Sequence, residues 1–552
     1  MSSTKNASAY VGRIGGLAVG LGVGVAILAG AGAAWAETAG PGDSGPSAHR
    51  SSATSSPGTV SGPKEVNKPA AARTSKRPAP TSSPDAPTSA ATSGISTAGT
   101  SRTTTPTAAA LPALVPTAQR DAKHVESTIR AMVSTTTSNM TPTSAAVNSS
   151  VSQVTSNPIG WVTGQVNGRW PQTNNTAGFG IYGTDLGIMW ENTLTGKIQL
   201  AFGDTFSGPN MTGGWRSNVL LLSTDTNLKN GLSLLQTGYA YQFIKPAPSA
   251  LFPFFGSEVT IIPTAAISVL DQQYVNYMSV KSWDTPGRWT TNYSAISMYD
   301  EATDSWNLLN STIRSASWFG SSKPYVPGNQ NFQQAAYVLE PLDQVAPGDT
   351  QYLYTFGTPS GRAGSAYLSR VGVDDVANLA KYQYWNGNDW VTGRPVAATP
   401  ILGDSTHSAG LFGPIIDWAN NPNVFGGYLG GLLGAKTGGN ISEMSVQYND
   451  YLDKYVIMYT DSQNNVELRY ADQPNGEWSA PVTVATSATY PGLYAPMIHP
   501  WSGTGKLVDN SGDPDISTLY WNMSIWGNYN VILMSTDLTS IKNSLGSAST
   551  NA

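Results

Sequence analysis

From residue 158 onward, short strand-like segments alternate with polar turns, and five of these turn segments resemble one another. In the middle three, a tryptophan follows the polar turn. The five segments are 223–231, 297–306, 384–390, 470–478 and 535–542. Recurrence at spacings of about 60 to 90 residues, with a hairpin in each unit, is typical of propeller blades. The pattern predicts an all-β domain over 158–552, a five-bladed β-propeller with about four strands in each blade.

The first 157 of the 552 residues have a different composition. Lys5 and Arg13 precede an apolar run over 14–34, and an A-x-A site at 34–36 predicts a signal peptide cleaved after Ala36. Retention of this run as a membrane anchor is the alternative. Residues 37–116 are rich in Ser, Thr, Ala and Pro, which predicts a disordered linker. Residues 117–157 are expected to form one short helix followed by more linker.

The overall composition excludes several classes of function. The chain has no cysteine, which rules out thiolate catalysis, thiolate metal sites and disulfides. A net charge of −5, with no basic run in the predicted domain, argues against a nucleic-acid partner. The sequence also has no nucleophile elbow, phosphate loop or dinucleotide fingerprint. We therefore expect an exported monomer without a cofactor, which contacts a membrane only if the signal segment is not cleaved.

Two aspartates, Asp185 and Asp204, flank a predicted hairpin. Its strands are 186–191 and 197–202, with a turn signal at Thr195 and Gly196. A four-residue loop would place the two carboxylates directly opposite each other, and a two-residue loop would make them diagonal neighbours on one face. A three- or five-residue loop would send them to opposite faces. Two facing carboxylates repel, which raises the pKa of one of them, and such a pair is suited to acid/base hydrolysis of a glycosidic bond.

The innermost strand of each blade lines the channel of a propeller. The predicted inner strands are 185–191, 258–262, 334–339, 443–448 and 494–499. Three of them begin with an acid, namely Asp185, Glu258 and Glu443, and Asp204 returns beside the first. We expect these four carboxylates to meet in one funnel as candidate catalytic residues. The alternatives are that strand-end acids cap turns, or that the four bind a structural calcium ion.

Four further residues are candidates for substrate binding. Arg362 lies in a Gly-rich turn, where it could bind sugar hydroxyls, hold a carboxylate in place or lie on the surface. Trp215 and Tyr494 could stack on sugar rings, although most of the tryptophans are better explained by packing. His499 could reach the funnel or be a buried structural histidine. No second histidine lies at ligand spacing, so we expect no histidine zinc site.

The ordered series of acidic and aromatic motifs resembles the family known as DUF4185. The motifs include GTDLG at 183–187, FGDTF at 202–206, SEVTIIP at 257–263, GRAGSAY at 361–367, SEMSV at 442–446 and GEWS at 476–479. The resemblance implies a five-bladed endo-D-arabinanase of glycoside hydrolase family 183, acting on mycobacterial arabinogalactan or lipoarabinomannan in the cell envelope. It implies a catalytic role for Asp185 and Asp204, and matches Glu258 and Glu443 to further acidic positions. The alternative function is a non-catalytic carbohydrate-binding or scaffold propeller.

Overall fold

The computed structural model describes residues 154, 156–165, 168, 170–236, 238–252, 257–283, 287–403 and 407–549. The predicted signal peptide over 1–36, the linker over 37–116 and the short helix that follows lie outside these residues. Among the described residues, none of the helices has the length and apolar character needed to cross a membrane.

The described strands form six sheets, of which five correspond to five blades and the sixth is a two-stranded ribbon attached to the first blade. An initial strand, β1 (Ser156–Trp161), precedes the first blade. That blade contains β2 (Leu186–Asn192) and β3 (Lys197–Phe202), a ribbon of β4 (Thr205–Gly208) and β5 (Thr212–Arg216), and β6 (Val219–Ser223). The second contains β7 (Thr260–Val269), β8 (Gln272–Ser282), β9 (Thr290–Asp300), β10 (Ser305–Leu308) and β11 (Arg314–Ser315).

The remaining three blades follow in chain order. The third contains β12 (Gln334–Leu339), β13 (Tyr352–Thr358), β14 (Ala366–Gly372), β15 (Gln383–Trp385), β16 (Trp390–Thr392) and β17 (Pro400–Leu402). The fourth contains β18 (Met444–Asn449), β19 (Lys454–Thr460), β20 (Val466–Ala471) and β21 (Val482–Ala485). The fifth contains β22 (Leu493–Ile498), β23 (Thr518–Ile525) and β24 (Asn530–Asp537).

The first strand of each blade lies innermost. Strand β2 contacts β7, β7 contacts β12, β12 contacts β18, β18 contacts β22, and β22 contacts β2. These five strands form a closed ring around the axis, which confirms the predicted five-bladed architecture. Each strand starts within two residues of the predicted position. The segments before these strands therefore share one face of the propeller, which we call the funnel face.

Strand β1 closes the ring. It pairs antiparallel with β24, with Ser156 opposite Thr536 and Trp161 opposite Ile532, so the fifth blade is built from both ends of the domain. Pro158 is tolerated because β1 is an edge strand, and the register shifts between Pro158 and Gly160. The closing strand begins two residues before the predicted domain boundary.

Buried side chains gather between adjacent blades rather than in one central core. Trp190 and Tyr277 pack between the first and second blades, and Met458 and Trp521 between the fourth and fifth. Similar clusters of buried side chains fill the interfaces between the other neighbouring blades. Strands rich in Val, Ile, Tyr and Trp supply these interfaces because each sheet buries both of its faces, and β19 and β23 are therefore buried along almost their whole length.

Three of the five predicted outer hairpins are confirmed. The turns over 297–306, 384–390 and 470–478 join β9 to β10, β15 to β16 and β20 to β21. The other two predictions are wrong. Segment 223–231 leads from β6 into a short 3-10 helix. Segment 535–542 leads from β24 into a helix, because β1 already occupies the outer edge of that blade.

Helices are short and lie between strands or at the end. The α-helices are α1 (Gly413–Asn420), the single turn α2 (Gly430–Leu433) and α3 (Thr539–Ser549). The 3-10 helices are Thr176–Phe179, Leu228–Asn230, Ser249–Leu251, Asn310–Thr312, Asn329–Asn331, Leu342–Gln344, Val373–Asp375, Leu379–Lys381, Pro395–Ala397 and Phe425–Gly427.

Candidate functional site

The hairpin that carries Asp185 and Asp204 has the four-residue loop over 193–196. Residues 188 to 192 pair with 201 to 197, a register that would set the two aspartates directly opposite each other. A β-bulge shifts the pairing by one residue, since Leu186 and Gly187 have φ of 69° and 73°. The carbonyl of Asp185 therefore accepts a hydrogen bond from Gly203 N at 3.2 Å. The carboxylates still interact, but as offset neighbours.

Distant parts of the chain stabilise this bulge. Ser524 Oγ accepts a hydrogen bond from Leu186 N at 2.8 Å, and Asn522 Nδ2 donates to Gly187 O at 3.0 Å. A left-handed backbone at a non-glycine residue such as Leu186 costs about 1–2 kcal/mol. Such strain is characteristic of functional sites, where it re-aims a side chain. Here it directs Asp185 over Gly203, whose hydrogen lies where a Cβ would clash with the Asp185 carboxylate.

Asp185 occupies a largely desolvated position at the start of β2. Its Oδ2 accepts a hydrogen bond from Tyr494 Oη at 2.9 Å, and its Oδ1 is buried with no partner among the described residues. Burial is the main cause that raises the pKa of Asp185 to about 8, and the negative charge of Asp204 adds to it. The hydrogen bond from Tyr494 opposes this rise by stabilising the ionised form. At neutral pH the Asp185 carboxyl is therefore mostly protonated.

Asp204 has a more polar environment. Its Oδ1 accepts hydrogen bonds from Trp215 Nε1 at 3.0 Å and from Thr260 Oγ1. Burial raises the pKa of Asp204 to about 6, and these two hydrogen bonds limit the rise. At neutral pH Asp204 is therefore mostly ionised. Of the two interacting aspartates, Asp185 thus has the higher pKa.

Glu443 precedes β18 and forms an ion pair with Arg362. Arg362 Nη2 lies 2.8 Å from Glu443 Oε1, and Arg362 Nε lies 3.2 Å from both carboxylate oxygens. Burial acts to raise the pKa of Glu443, but the adjacent guanidinium outweighs it and lowers that pKa below its usual range. The guanidinium also lies over the rings of Trp289 and Tyr494, 5.6 and 5.2 Å from their centroids. Tyr494 thereby connects the Arg362–Glu443 pair to Asp185.

The structure does not join Glu258 to the other three acids. Its Oε1 accepts a hydrogen bond from Ala247 N at 3.0 Å, and its Oε2 accepts from Ser279 Oγ at 2.7 Å. Thr260, two residues later, is the residue that reaches Asp204. Glu258 therefore anchors the segment before β7. This corrects the expectation that four carboxylates converge.

His499 also lies away from these acids. It follows the far end of β22, whereas Tyr494 lies near the start of that strand. His499 is fully buried, its Nδ1 accepts a hydrogen bond from Trp501 N, and burial lowers its pKa to about 3. The expectation that His499 reaches the funnel is therefore wrong, and the alternative of a buried structural histidine holds.

Three exposed tryptophans surround the acidic site. Trp215 and Trp526 are 47% and 61% exposed, and Trp283 is 41% exposed. Trp215 Nε1 donates a hydrogen bond to Asp204, and the ring centroid of Trp526 lies 6.4 Å from that of Tyr494. The ring centroid of Trp283 lies 5.4 Å from that of Trp289, the indole over which the Arg362 guanidinium lies. Exposed indole faces of this kind suit stacking on the apolar faces of sugars.

Sequence reasoning missed three residues of this site. Thr260 bonds Asp204, Trp283 belongs to the exposed rim, and the Tyr529 backbone oxygen accepts a hydrogen bond from Thr184 N, beside Asp185. Burial raises the pKa of Tyr529 well above its usual value, and the charge of Asp185 adds to the effect. Tyr529 follows a short turn after β23 and Trp283 follows β8, and neither position has a distinctive local motif.

The calcium alternative does not fit the geometry. Within the part of the chain that the structure describes, no three His, Asp or Glu side chains are grouped so that they could hold a metal ion. The oxygens of Glu443 are taken by Arg362, and those of Glu258 by Ala247 and Ser279. The arrangement instead places Asp185, the carboxyl with the higher pKa, beside Asp204, with the ion-paired Glu443 nearby.

Comparisons with known proteins match this chain to one family. The model described as "Domain of unknown function (DUF4185)" matches residues 172–411 and 433–535. The unmatched stretch between them contains α1 and most of α2. A Mycolicibacterium smegmatis protein described as "Uncharacterized 35.9 kDa protein in asd 3'region" is 24% identical over 316 residues, which are 57% of this chain and 77% of that protein.

Solved structures with detectable similarity are more distant. A putative hydrolase from Bacteroides ovatus has 14% identity and a TM-score of 0.38, covering 65% of this chain and 87% of its own. An α-L-arabinofuranosidase from Podospora anserina has 10% identity and a TM-score of 0.33, and the match covers 70% of this chain and 96% of that enzyme. The Bacillus subtilis arabinanase Arb43A has 10% identity and a TM-score of 0.31, covering 65% and 98%. TM-scores below 0.5 carry no argument about this chain, so the architecture rests on its own strand pairing.

Proposed function

The chain belongs to the DUF4185 family, and we propose that it is a glycoside hydrolase with Asp185 and Asp204 as its catalytic carboxylates. The observation that carries this proposal is the adjacent pair itself, with the pKa of Asp185 raised to about 8 and that of Asp204 to about 6. A protonated and an ionised carboxyl at one site are the combination that hydrolysis of a glycosidic bond uses.

In the proposed reaction Asp185 donates its proton to the leaving glycosidic oxygen as the bond to the anomeric carbon breaks. Asp204 then acts on the same carbon in one of two ways. It either takes a proton from an attacking water, which inverts the anomeric centre, or attacks directly and is later displaced by water, which retains it. The inverting route suits carboxyl groups about 6.5–9.5 Å apart, and the retaining route about 5–5.5 Å. The anomer first released, read by NMR, distinguishes the two.

Glu443 and Arg362 have a supporting role in this proposal. Because the guanidinium keeps Glu443 ionised, Glu443 is a poor proton donor at neutral pH. Their ion pair fixes the position of Tyr494, and with it the hydrogen bond to Asp185. The Arg362 side chain is 31% exposed, which leaves it able to bind substrate hydroxyls. The exposed Trp215, beside Asp204, and Trp526, beside Tyr494, provide stacking surfaces near the acids.

The substrate we propose is the D-arabinan of the mycobacterial cell wall, cleaved at internal arabinofuranosyl linkages. The resemblance of the motifs at 183–187 and 202–206 to endo-D-arabinanases supports this choice. We also propose that the protein is exported and acts in the cell envelope. This part rests on the apolar run and A-x-A site over 14–36 and the Ser/Thr/Pro-rich segment that follows.

The test is hydrolysis of purified mycobacterial arabinogalactan by residues 37–552, with chromatography of the soluble products. We expect oligoarabinosides from the wild type and a loss of about 1,000-fold or more in Asp185→Asn and Asp204→Asn. Asp389→Asn, an exposed aspartate at the tip of the β15–β16 hairpin, is the matched control and should retain full activity. Equal activity in all four proteins would refute the assignment of the pair.

The exposed tryptophans also support the alternative of a carbohydrate-binding propeller without catalysis. That alternative predicts that the folded wild type binds arabinan and releases nothing. It also predicts that Asp185→Asn and Asp204→Asn bind as well as the wild type, while Trp215→Ala and Trp526→Ala bind less. Binding measured by calorimetry beside the product assay separates the two functions.

A further inference from the structure

A buried arginine without an acidic partner lies between the second and third blades, away from the carboxylates. Arg314, in β11, is 7% exposed. Within the described ranges it forms no ion pair with any aspartate or glutamate. Its Nη1 donates to Tyr384 Oη at 2.6 Å and lies 3.5 Å from Asn329 Oδ1. Its Nε and Nη2 make no hydrogen bond to a described residue.

Aromatic rings compensate part of this buried charge. The guanidinium carbon lies 5.2 Å from the ring centroid of Phe332, 5.1 Å from that of Tyr382 and 5.6 Å from that of Tyr384. Ring faces attract cations, but burying an ion costs more than such contacts usually return. Protein interiors therefore rarely hold an arginine that has ring faces alone as its counter-charge.

A small cavity adjoins this guanidinium. It has a volume of about 10 Å³, and its lining includes Arg314, Thr355, Asn276, Tyr337 and Tyr382. The hydroxyl of Thr355, a residue that is 6% exposed, is buried without a hydrogen-bond partner. The other polar groups are already paired, since Tyr337 Oη donates to Asn276 Oδ1 and Tyr382 Oη donates to Val376 O. Among the described residues, the lining atoms without a hydrogen bond are thus Arg314 Nε and Nη2 and Thr355 Oγ1.

We propose that this cavity binds a monatomic anion, with chloride as the physiological ligand. An anion would neutralise the buried guanidinium charge, which a water molecule in the same cavity would leave uncompensated. The volume of about 10 Å³ is close to that of one water-sized sphere, which favours a monatomic ion over sulfate or phosphate. Arg314 belongs to β11 and Thr355 to β13, so the anion ties the second blade to the third.

The first test is crystallographic. Crystals of the protein soaked in sodium bromide should give an anomalous difference peak in the cavity, within hydrogen-bond distance of Arg314 and Thr355 Oγ1. Absence of this peak, with ordered density that has no anomalous signal, would identify the occupant as water and overturn the proposal.

The second test asks whether the anion stabilises the protein in solution. At constant ionic strength, replacing gluconate by chloride should raise the melting temperature by about 2 °C for each tenfold increase above the dissociation constant. Arg314→Met should remove this dependence of the melting temperature on chloride. Thr355→Val should weaken it, and provides the test if Arg314→Met does not fold.

Arg370→Met is the matched control. Arg370 also lies over two aromatic rings, at 4.0 Å from Tyr352 and 4.2 Å from Trp390, but it is partly exposed and does not line the cavity. Its substitution should leave the chloride dependence intact. A bromide peak in the crystal with no chloride dependence of stability would mean binding at crystal concentration only, and would also count against the proposal.

Discussion

The hydroxyl of Tyr494 donates a hydrogen bond to Oδ2 of Asp185 across 2.9 Å, and so connects the first and last blades of the ring. Tyr494 precedes Ala495, whose φ is 52°, just as Asp185 precedes Leu186, whose φ is 69°. Both side chains therefore project from a bulged inner strand. The hydrogen bond stabilises the ionised form of an aspartate that burial and Asp204 would otherwise keep protonated.

The pH dependence of hydrolysis should be bell-shaped between the two carboxylates. Activity requires Asp204 ionised and Asp185 protonated, so kcat/KM should fall below about pH 6 and above about pH 8. Because the groups interact, the two limbs describe the pair rather than either residue alone. Rates on a soluble arabinan from pH 4 to 10 provide the measurement. A profile whose limbs both lie below pH 5 would contradict the assigned protonation states.

Tyr494→Phe should move the alkaline limb upward. Loss of the hydroxyl removes a hydrogen bond that favours ionised Asp185, which raises the pKa of that carboxyl, by about one pH unit for a charge-assisted bond. The acidic limb should move little. Tyr520→Phe is the matched control, because Tyr520 Oη donates to Asp515 Oδ2 at 2.7 Å outside the site. A downward move, or an equal shift in both variants, would argue against Asp185 as the proton donor.

Asp185→Asn should stabilise the protein at alkaline pH while it abolishes hydrolysis. The pKa of Asp185 is raised from 3.8 to about 8 by folding, so the native state holds a proton that the unfolded chain releases. This residue therefore lowers stability progressively as the pH rises from about 4 to 8, and has no effect below that range. The melting temperature of Asp185→Asn should exceed that of the wild type at pH 8, and the difference should vanish near pH 4. A constant difference at all pH values would point to packing instead.

Gly203→Ala should disturb the site more than the fold. A Cβ at this position meets the Asp185 carboxylate, so the aspartate must leave its contact with Tyr494. Activity should fall by about 100-fold or more, the usual effect of misplacing a proton donor. Gly178→Ala is the control, since a Cβ there has no neighbour within 4 Å and the residue has no positive φ. Full activity in Gly203→Ala would show that Asp185 does not need this position.

The inner strands could be predicted from sequence because alternation and strand-end acids are local signals. The prediction of 443–448 against the observed Met444–Asn449 shows how close such a signal comes. The bulge at Leu186 could not be predicted in this way. It depends on Ser524, which lies 338 residues later in the chain. The same limit explains why Thr260 and Tyr529 were missed, since their roles depend on which blades are neighbours.

Errors at Glu258 and His499 have a similar physical origin. Position at a strand end shows that a side chain lies near one face of the propeller, but not which groups it meets there. The Glu258 carboxylate accepts a hydrogen bond from the backbone N–H of Ala247, and His499 lies at the opposite end of its strand from Tyr494. The sequence left three roles open for Arg362, one of which was to hold a carboxylate in place. Its partner could not be identified from sequence because Glu443 lies 81 residues away.

Glu443→Gln should destabilise the protein because it leaves Arg362 without its counter-charge. The two side chains are 12% and 31% exposed, so the cost should be about 1–3 kcal/mol, less than for a fully buried pair. Arg362→Met should cost a similar amount, and the double variant less than the sum of the two, since the partners share one interaction. Denaturant unfolding of the wild type, the two single variants and the double variant gives the coupling energy.

Lys454 and Asp472 form the control pair. They lie 2.7 Å apart, but Asp472 is 83% exposed, so Asp472→Asn should change stability by less than about 0.5 kcal/mol. Additive effects at Arg362 and Glu443 would mean that their contact does not stabilise the funnel.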